Sequence, residues 1–181
     1  MRLFTYLTLA LCVVAGAACS EQSTSASDSD TLVVELKSGK VLIKLRPDLA
    51  PKHVERVKQL AKEGFYDGIK FHRVIQGFMA QTGDPTGTGT GGSNYPDLAA
   101  EFSQEPFKRG SIGAARTADP NSANSQFFIC FDDTGCSSLN GQYTIWGQVA
   151  EGMDNVDKIA TGEPPPIPDM MEKVYLQSDA K

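Results

Sequence analysis

Residues 71–84 hold four side chains whose types and spacing could do chemistry together, namely Arg73, Phe78, Met79 and Gln81. A guanidinium is always charged and presents several N–H donors in one plane. Phe78 and Met79 offer a large apolar surface close to it in the chain. Where water is excluded, such a donor can stabilise a lone pair or charge that develops only in a transition state.

A second motif lies downstream at residues 125–129, with the sequence Ser-Gln-Phe-Phe-Ile. The two motifs together closely resemble the active-site sequence of cyclophilin-type peptidyl-prolyl isomerases, and the resemblance extends through nearly all of residues 31–181. It implies an enzyme that rotates X–Pro peptide bonds without making or breaking a covalent bond. It further implies that proline-containing peptides and unfolded proteins bind, that no metal or cofactor is needed, and that the protein is a monomer.

The resemblance also assigns roles to individual residues. Arg73 matches the catalytic arginine, which would donate a hydrogen bond to the prolyl nitrogen, and Gln81 matches the amide that orients it. The positions that match substrate-binding residues are Phe78, Met79, Arg116, Thr117, Ala118, Gln126, Phe128, Leu139 and Tyr143. Of these, residues 116–118 would form a strand-like segment whose backbone binds the extended peptide.

Two positions depart from the familiar eukaryotic pattern of the family. Tyr143 stands where those members commonly carry a histidine. Ser138 stands where they carry a tryptophan that contacts cyclosporin. These departures should leave proline binding intact, but they put tight cyclosporin binding in question.

The height of the rotation barrier limits what a single arginine can contribute. Resonance gives the amide C–N bond a barrier of about 18–20 kcal/mol, and twisting returns a lone pair to the prolyl nitrogen. An acceleration of about 10⁴ to 10⁵ requires roughly 5.5–7 kcal/mol, whereas one hydrogen bond to a charged group contributes about 1.5–3 kcal/mol. A dry pocket, a fixed proline ring and a held carbonyl must therefore supply the remainder.

Each assignment has a simpler alternative. Phe78, Met79 and Phe128 could be ordinary core residues, and Arg73 could be a surface ion-pairing residue. For the whole protein, the alternatives are a proline-peptide binding module or chaperone in which turnover is incidental, and a purely structural lipoprotein. Because Arg73 accompanies the apolar residues of the motif, the sequence favours the enzyme.

Other catalytic patterns find little support in the sequence. His72 lies next to Arg73, but X–Pro rotation moves no proton, so we do not expect a general base there. No Gly-x-Ser-x-Gly turn accompanies the two histidines, which argues against a hydrolase triad. Residues 87–93 are glycine-rich but lack the lysine and helix start of a phosphate-binding loop, so we expect a flexible loop beside the peptide groove.

The distribution of β-rich runs and turn residues predicts a mostly β fold. Eight strands are expected at residues 31–37, 40–45, 69–75, 78–82, 112–115, 126–131, 143–149 and 172–177. One helix should begin at Pro51 and end near Gly64, and a two-residue turn is expected at Ser38 and Gly39. A second, shorter helix should include Met153, Val156 and Ile159 and end near Gly162. The resemblance implies that the strands form a closed eight-stranded antiparallel barrel capped by two α-helices.

The first thirty residues suggest export. Residues 1–18 resemble a signal peptide of the lipoprotein type, because Arg2, an apolar run at 3–14 and small residues lead directly to Cys19. Lipidation of Cys19 would anchor the protein to a membrane through a flexible serine-rich tether at 19–30, leaving residues 31–181 as the isomerase domain. We expect the periplasmic face of a bacterial membrane, with the outer membrane favoured, and a soluble periplasmic protein is the alternative.

Charge and cysteine content bear on three further features, namely a nucleic-acid partner, a disulfide and a zinc site. The formal net charge is −5 and the lysines are scattered, which argues against a nucleic-acid partner. Cys130 and Cys136 lie in the domain that follows the signal-like leader. If the domain is exported, an oxidising compartment permits a disulfide between them, and buried free thiols are the alternative. Two thiols alone cannot complete a zinc site.

Overall fold

The computed structural model of the protein describes residues 29–180, in which eight antiparallel strands form one curled sheet. The strands are β1 (Thr31–Leu36), β2 (Gly39–Leu45), β3 (Arg73–Ile75), β4 (Met79–Thr82), β5 (Ser111–Ala114), β6 (Phe127–Cys130), β7 (Ile145–Glu151) and β8 (Lys173–Leu176). The helices are α1 (Pro51–Lys62), α2 (Asp133–Cys136) and α3 (Met153–Val156), with 3₁₀ turns at Ser137–Leu139 and Gln177–Asp179. The prediction of a mostly β fold with eight strands is confirmed.

The sheet is an open half-barrel, so the prediction of a closed barrel is wrong. Its strand order is β3-β4-β6-β5-β7-β2-β1-β8, which leaves β3 and β8 as edges. The segment that precedes β8 lies against the β3 side through isolated bridges, which pair Val74 with Gly162 and Lys70 with Met170. Residues 164–168 include four prolines, and because proline has no N–H to donate, this segment cannot extend the bridges into a closing ladder.

The helices and the first turn differ from the prediction in detail. The helix α1 begins at Pro51 as expected and packs its buried face against β7 and β8. The helix α3 ends at Val156, well before Gly162. The sequence did not predict α2, a single turn at whose start the side chain of Asp132 accepts a hydrogen bond from a backbone N–H. The first hairpin turns at residues 37–38, one residue earlier than predicted.

Alternate side chains of the central strands separate two apolar clusters. The large core lies beneath α1 and includes Ala80, Phe127 and Ile129 from β4 and β6. On the other face lies a second group, here called the small cluster, which consists of Met79, Phe107, Phe128, Cys130, Cys136 and Ile145. The small cluster is the part of the sheet on which the predicted site residues converge.

A disulfide joins Cys130 at the end of β6 to Cys136 at the end of α2, with an S–S distance of 2.11 Å. Both cysteines are fully buried within the small cluster. The bond therefore ties α2 and the 3₁₀ turn that follows it to the central sheet.

The predictions of a signal peptide, of Cys19 lipidation and of most of the tether concern residues 1–28, which lie outside the described residues. Within residues 29–180, no helix has the length and hydrophobicity that a membrane span requires. In the same part of the chain, no three His, Cys, Asp or Glu side chains come together as metal ligands would.

Candidate active site

The register of the sheet places three predicted site residues in one row across β3, β4 and β6. Arg73 pairs with Gln81, and Gln81 pairs in turn with Phe128. Directly paired residues of antiparallel strands project to the same face. Met79 lies two residues before Gln81 on β4 and therefore shares that face. The cation, the amide and two apolar side chains thus meet on the face opposite the large core.

These side chains line a cavity of about 150 Å³. Its walls consist of Arg73, Phe78, Met79, Gln81, Ala115, Arg116, Phe128, Leu139 and Tyr143. Every wall residue except Ala115 was expected from the sequence to belong to the site. Here, the proline pocket means this cavity.

Phe128 is held between two other rings on the floor of the proline pocket. Its ring stacks on Phe107 with centroids 5.6 Å apart and meets Tyr143 edge-on at 5.8 Å. The neighbouring strand β5 makes room for this arrangement with Gly113, because a Cβ at that position would overlap the ring of Phe128. A glycine is therefore needed at Gly113 if Phe128 is to keep its place.

Arg116 and Tyr143 form one wall of the proline pocket. The guanidinium carbon of Arg116 lies 4.3 Å from the centroid of the Tyr143 ring, which is the geometry of a cation–π contact. Arg116 also donates hydrogen bonds to the carbonyl oxygens of Thr117 at 2.8 Å and Gln142 at 3.0 Å. The tyrosine that replaces the common eukaryotic histidine is thus held in place by stacking.

A residue that the sequence did not predict holds the guanidinium of Arg73. The Nε of Arg73 donates a hydrogen bond to Oε2 of Glu163 at 2.7 Å. Gln81, the expected partner, instead donates from its amide to Oε1 of Gln126 at 2.9 Å. In the structure, the hydrogen-bond partner of the Arg73 guanidinium is therefore Glu163 and not the amide of Gln81. No local motif could have revealed this, because the two residues are separated by 90 positions in the chain.

Gln126 connects the row of site residues to the glycine-rich loop. Its amide nitrogen donates to the carbonyl oxygens of Gly89 at 3.0 Å and Gly91 at 2.8 Å. Its amide oxygen accepts the hydrogen bond from Gln81. Gln126 therefore lies in the site as predicted, but both ends of its amide are engaged within the protein.

A groove of about 410 Å³ adjoins the proline pocket, between the glycine-rich loop and residues 115–117. Arg116, Thr117 and Gln126 line it, whereas Ala118 lines neither the groove nor the pocket. The strand β5 ends at Ala114, so residues 116–118 follow it and are not part of the sheet. The backbone N–H of Thr117 donates to Oγ of Ser122 at 2.9 Å, so this donor is engaged locally.

A buried carboxylate organises the glycine-rich loop. Asp84 accepts hydrogen bonds from the backbone N–H groups of Thr86, Thr88, Gly89 and Gly91. Burial opposes the charge, but the hydroxyl of Thr86 and these N–H groups hold the pKa of Asp84 well below its usual range. The loop therefore lies beside the groove, as expected, and is wrapped around one anion.

His72 is buried beside Arg73. Among the described residues, neither of its ring nitrogens has a hydrogen-bond partner. Burial lowers the pKa of His72, although Asp84 opposes this shift. The imidazole is thus neutral near pH 7.

The chain matches a known family over most of its length. Residues 31–176 match the model of the family described as "Cyclophilin type peptidyl-prolyl cis-trans isomerase/CLD". The chain belongs to this family. A "Probable peptidyl-prolyl cis-trans isomerase" of Brucella suis is 53% identical over 88% of this chain and 89% of its own length. A peptidyl-prolyl cis-trans isomerase of Helicobacter pylori is 41% identical over 80% of this chain and 85% of its own length.

Solved cyclophilin structures share the fold of this one. A cyclophilin from Hirschia baltica superposes with a TM-score of 0.78 at 28% identity, over 85% of this chain and 76% of its own. A cyclophilin from Cryptosporidium parvum, crystallised in the presence of the dipeptide Ala-Pro, gives 0.74 at 27% identity, over 81% and 98% of the two chains. The expectation of a cyclophilin-type peptidyl-prolyl isomerase is confirmed.

Proposed function

We propose that this cyclophilin isomerises X–Pro bonds by donating a hydrogen bond from Arg73 to the prolyl nitrogen while the proline ring occupies the proline pocket. One observation carries the proposal: Arg73 lines the same cavity of about 150 Å³ as the apolar side chains of Met79, Phe128 and Leu139. A ring held by those side chains would place its nitrogen within reach of the guanidinium.

The chemistry depends on how the acceptor changes during rotation. In the planar amide the prolyl lone pair is delocalised, whereas in the twisted amide it becomes a localised acceptor. A hydrogen bond from Arg73 would therefore be strong in the transition state and weak in the ground state. Such a bond contributes about 1.5–3 kcal/mol. The rings of Phe128 and Tyr143, by excluding water from the site, would strengthen the donor further.

The residues before the proline would lie in the neighbouring groove. Arg116 lines both the groove and the proline pocket, so it stands where the two parts of a bound peptide would meet. The groove is bounded on its far side by the loop around Asp84, which Gln126 fastens to the sheet. This arrangement would hold the flanking backbone while the X–Pro bond turns.

An isomerisation assay on a short proline-containing peptide tests the proposal. The wild type should accelerate cis–trans exchange, and Arg73→Ala should lose most of the acceleration while still binding the peptide. Phe128→Ala should weaken peptide binding, because it opens the floor of the pocket. If the wild type and Arg73→Ala bound the peptide alike and accelerated exchange equally little, the protein would be a proline-peptide binder and not an isomerase.

We further infer that the enzyme assists protein folding outside the cytoplasm from a lipid anchor at Cys19. The signal-like residues 1–18 and the serine-rich tether support export. The disulfide between Cys130 and Cys136 supports it independently, because such bonds persist in oxidising compartments. The wild type should also speed the refolding of a substrate protein whose folding is limited by proline isomerisation.

Cell fractionation tests the anchor. Wild-type protein should be recovered with membranes, and Cys19→Ser should be released into the soluble exported fraction. Cys12→Ser, which changes another cysteine of the leader, serves as the matched control and should leave the protein with membranes. Membrane recovery of Cys19→Ser would argue against lipidation.

A further inference from the structure

We propose that Glu163 is a positioning residue for catalysis, which holds the Nε end of the Arg73 guanidinium so that its two terminal nitrogens remain free for the prolyl nitrogen. The inference rests on the proposed role of Arg73. It adds to the active site a carboxylate from the connector that precedes β8.

The backbone places the two side chains opposite each other. The N–H of Val74 donates to the carbonyl of Gly162 at 2.8 Å, and the N–H of Gly162 donates to the carbonyl of Val74 at 2.9 Å. This reciprocal pair is an antiparallel bridge, so the residue before Val74 faces the residue after Gly162. Arg73 thus lies between Gln81 on β4 and Glu163 on the connector, as one member of a cross-strand row.

The connector is shaped to deliver this carboxylate. Gly162 has a φ of +148°, and a Cβ there would lie 2.6 Å from the Cα of Pro165. A residue with a side chain at 162 would therefore displace the connector from β3. Pro165 is itself buried, which fastens the segment immediately after Glu163 to the body of the protein.

The contact matters because no other hydrogen bond within the described chain fixes the guanidinium. Among residues 29–180, Glu163 is the one hydrogen-bond partner of the Arg73 side chain. The arginine side chain is 40% exposed and its partner is 53% exposed. A long exposed side chain loses rotamer freedom when it is fixed. The contact with Glu163 imposes that loss before substrate binds, so binding itself does not have to.

Because the ion pair is exposed, its role in positioning Arg73 can be tested separately from any role in folding. Exposed ion pairs contribute little to stability, since water and salt screen them. Removal of Glu163 should therefore leave the fold intact and act on catalysis alone. The hydrogen bond uses Nε, so the groups that remain available to substrate are the two terminal nitrogens.

Kinetics of three variants and the wild type provide the first test. We expect Glu163→Ala to lower kcat about tenfold through misplacement of Arg73, with KM for a proline peptide changed less than about twofold. Glu163→Gln should recover most of the loss, because its amide oxygen can still accept from Nε. Glu55→Gln, which removes an exposed carboxylate of α1 far from the site, should match the wild type. An unchanged or increased kcat in Glu163→Ala would overturn the proposal.

A double-variant comparison excludes a general disturbance of the site. If Glu163 acts through Arg73, then Glu163→Ala should have no further effect on kcat once Arg73→Ala is present. A further loss in the double variant would show that the connector acts on the site by another route. Equal melting temperatures of wild type and Glu163→Ala would verify that folding is not the cause.

Nuclear magnetic resonance of the arginine Nε–H groups provides a readout that does not depend on activity. The Arg73 Nε–H proton should be protected from solvent exchange in the wild type and in Glu163→Gln, and exposed in Glu163→Ala. Fast exchange in the wild type would overturn the positioning role. An inactive wild type with a protected Nε–H would instead overturn the proposed function itself, so the two failures are distinguishable.

Discussion

The two faces of strands β4 and β6 carry the same kinds of side chain but differ in what covers them. On one face, Ala80, Phe127 and Ile129 are sealed beneath α1 in the large core. On the other, Met79 and Phe128 are themselves buried, but the residues that cover them, such as Tyr143, are only partly buried. The incomplete cover leaves the proline pocket. One alternating pattern therefore builds a core and a candidate active site on opposite sides of the same strands.

If this division is correct, substitutions on the two faces should have separable effects. Changes to the large core should alter stability and leave the chemistry of the folded molecule intact. Changes to the opposite face should alter catalysis more than stability, and the effect on catalysis should be larger the closer the residue lies to the guanidinium.

The largest effect is expected for Ile129→Ala, which opens a cavity in the large core. We expect a loss of about 3 kcal/mol in the free energy of unfolding, measured by urea denaturation. The kcat/KM of the folded fraction should stay within about twofold of the wild type, because Ile129 points away from the pocket. A loss of catalysis without a loss of stability would show that the two faces are not independent.

The next effect is expected for Arg73→Lys, on the opposite face. A lysine keeps the charge but lacks the planar donor and the Nε that bonds to Glu163. We expect a loss of about 2 kcal/mol of transition-state stabilisation, or roughly thirtyfold in kcat/KM, in a peptide isomerisation assay. The denaturation midpoint should not move, and near-normal turnover would refute the role of the guanidinium.

Removal of the disulfide should affect both properties, because it ties the cover of the pocket to the sheet. The bond spans six positions in sequence, and closure of so short a loop contributes about 2 kcal/mol. The double variant Cys130→Ala/Cys136→Ala should melt about 4–8 °C lower and bind peptide more weakly through Leu139. Wild type treated with a reductant should behave similarly. An unchanged peptide affinity would show that α2 does not contribute to the site.

Acidification should lower the free energy of unfolding modestly, through His53 on α1. Burial lowers the pKa of His53, although Glu101, whose carboxylate accepts a hydrogen bond from Nδ1, opposes the shift. The folded protein therefore keeps this imidazole neutral, while the unfolded chain takes up a proton below about pH 6.5. The unfolded state then binds more protons, so the free energy of unfolding should fall as the pH drops below that value.

Denaturation curves of wild type and His53→Asn between pH 7.5 and 5.5 measure this contribution. The variant should show a shallower decline, with the remainder due to His72, whose pKa is lowered in the same direction. The window stays above the range in which Glu101 would lose its charge, since the pKa of that carboxyl is also lowered. Identical slopes would contradict the assignment to His53.

Local patterns predicted much of the molecule, because strands and motif residues are close in sequence. The period of two in the expected strand at 126–131 predicted that Gln126 and Phe128 share one face, and the family resemblance predicted that Arg73 lies at the same pocket. The opening of the sheet, the turn α2 and the carboxylate on Arg73 could not be predicted. The opening of the sheet and the contact of Glu163 with Arg73 depend on where distant segments meet, and the bridge between Val74 and Gly162 has no local signal in either segment. The turn α2 is capped locally by Asp132, but a single turn is too short to show a helical period.

Arg73, the proposed hydrogen-bond donor, lies at the margin of the sheet, on the edge strand β3. A bare margin of this kind is a template onto which another chain can add a strand. The prolines that follow Glu163 lie along it and offer almost no donors for such growth. Arg73 is thereby partly exposed on an edge strand whose backbone is not left open for pairing with another chain.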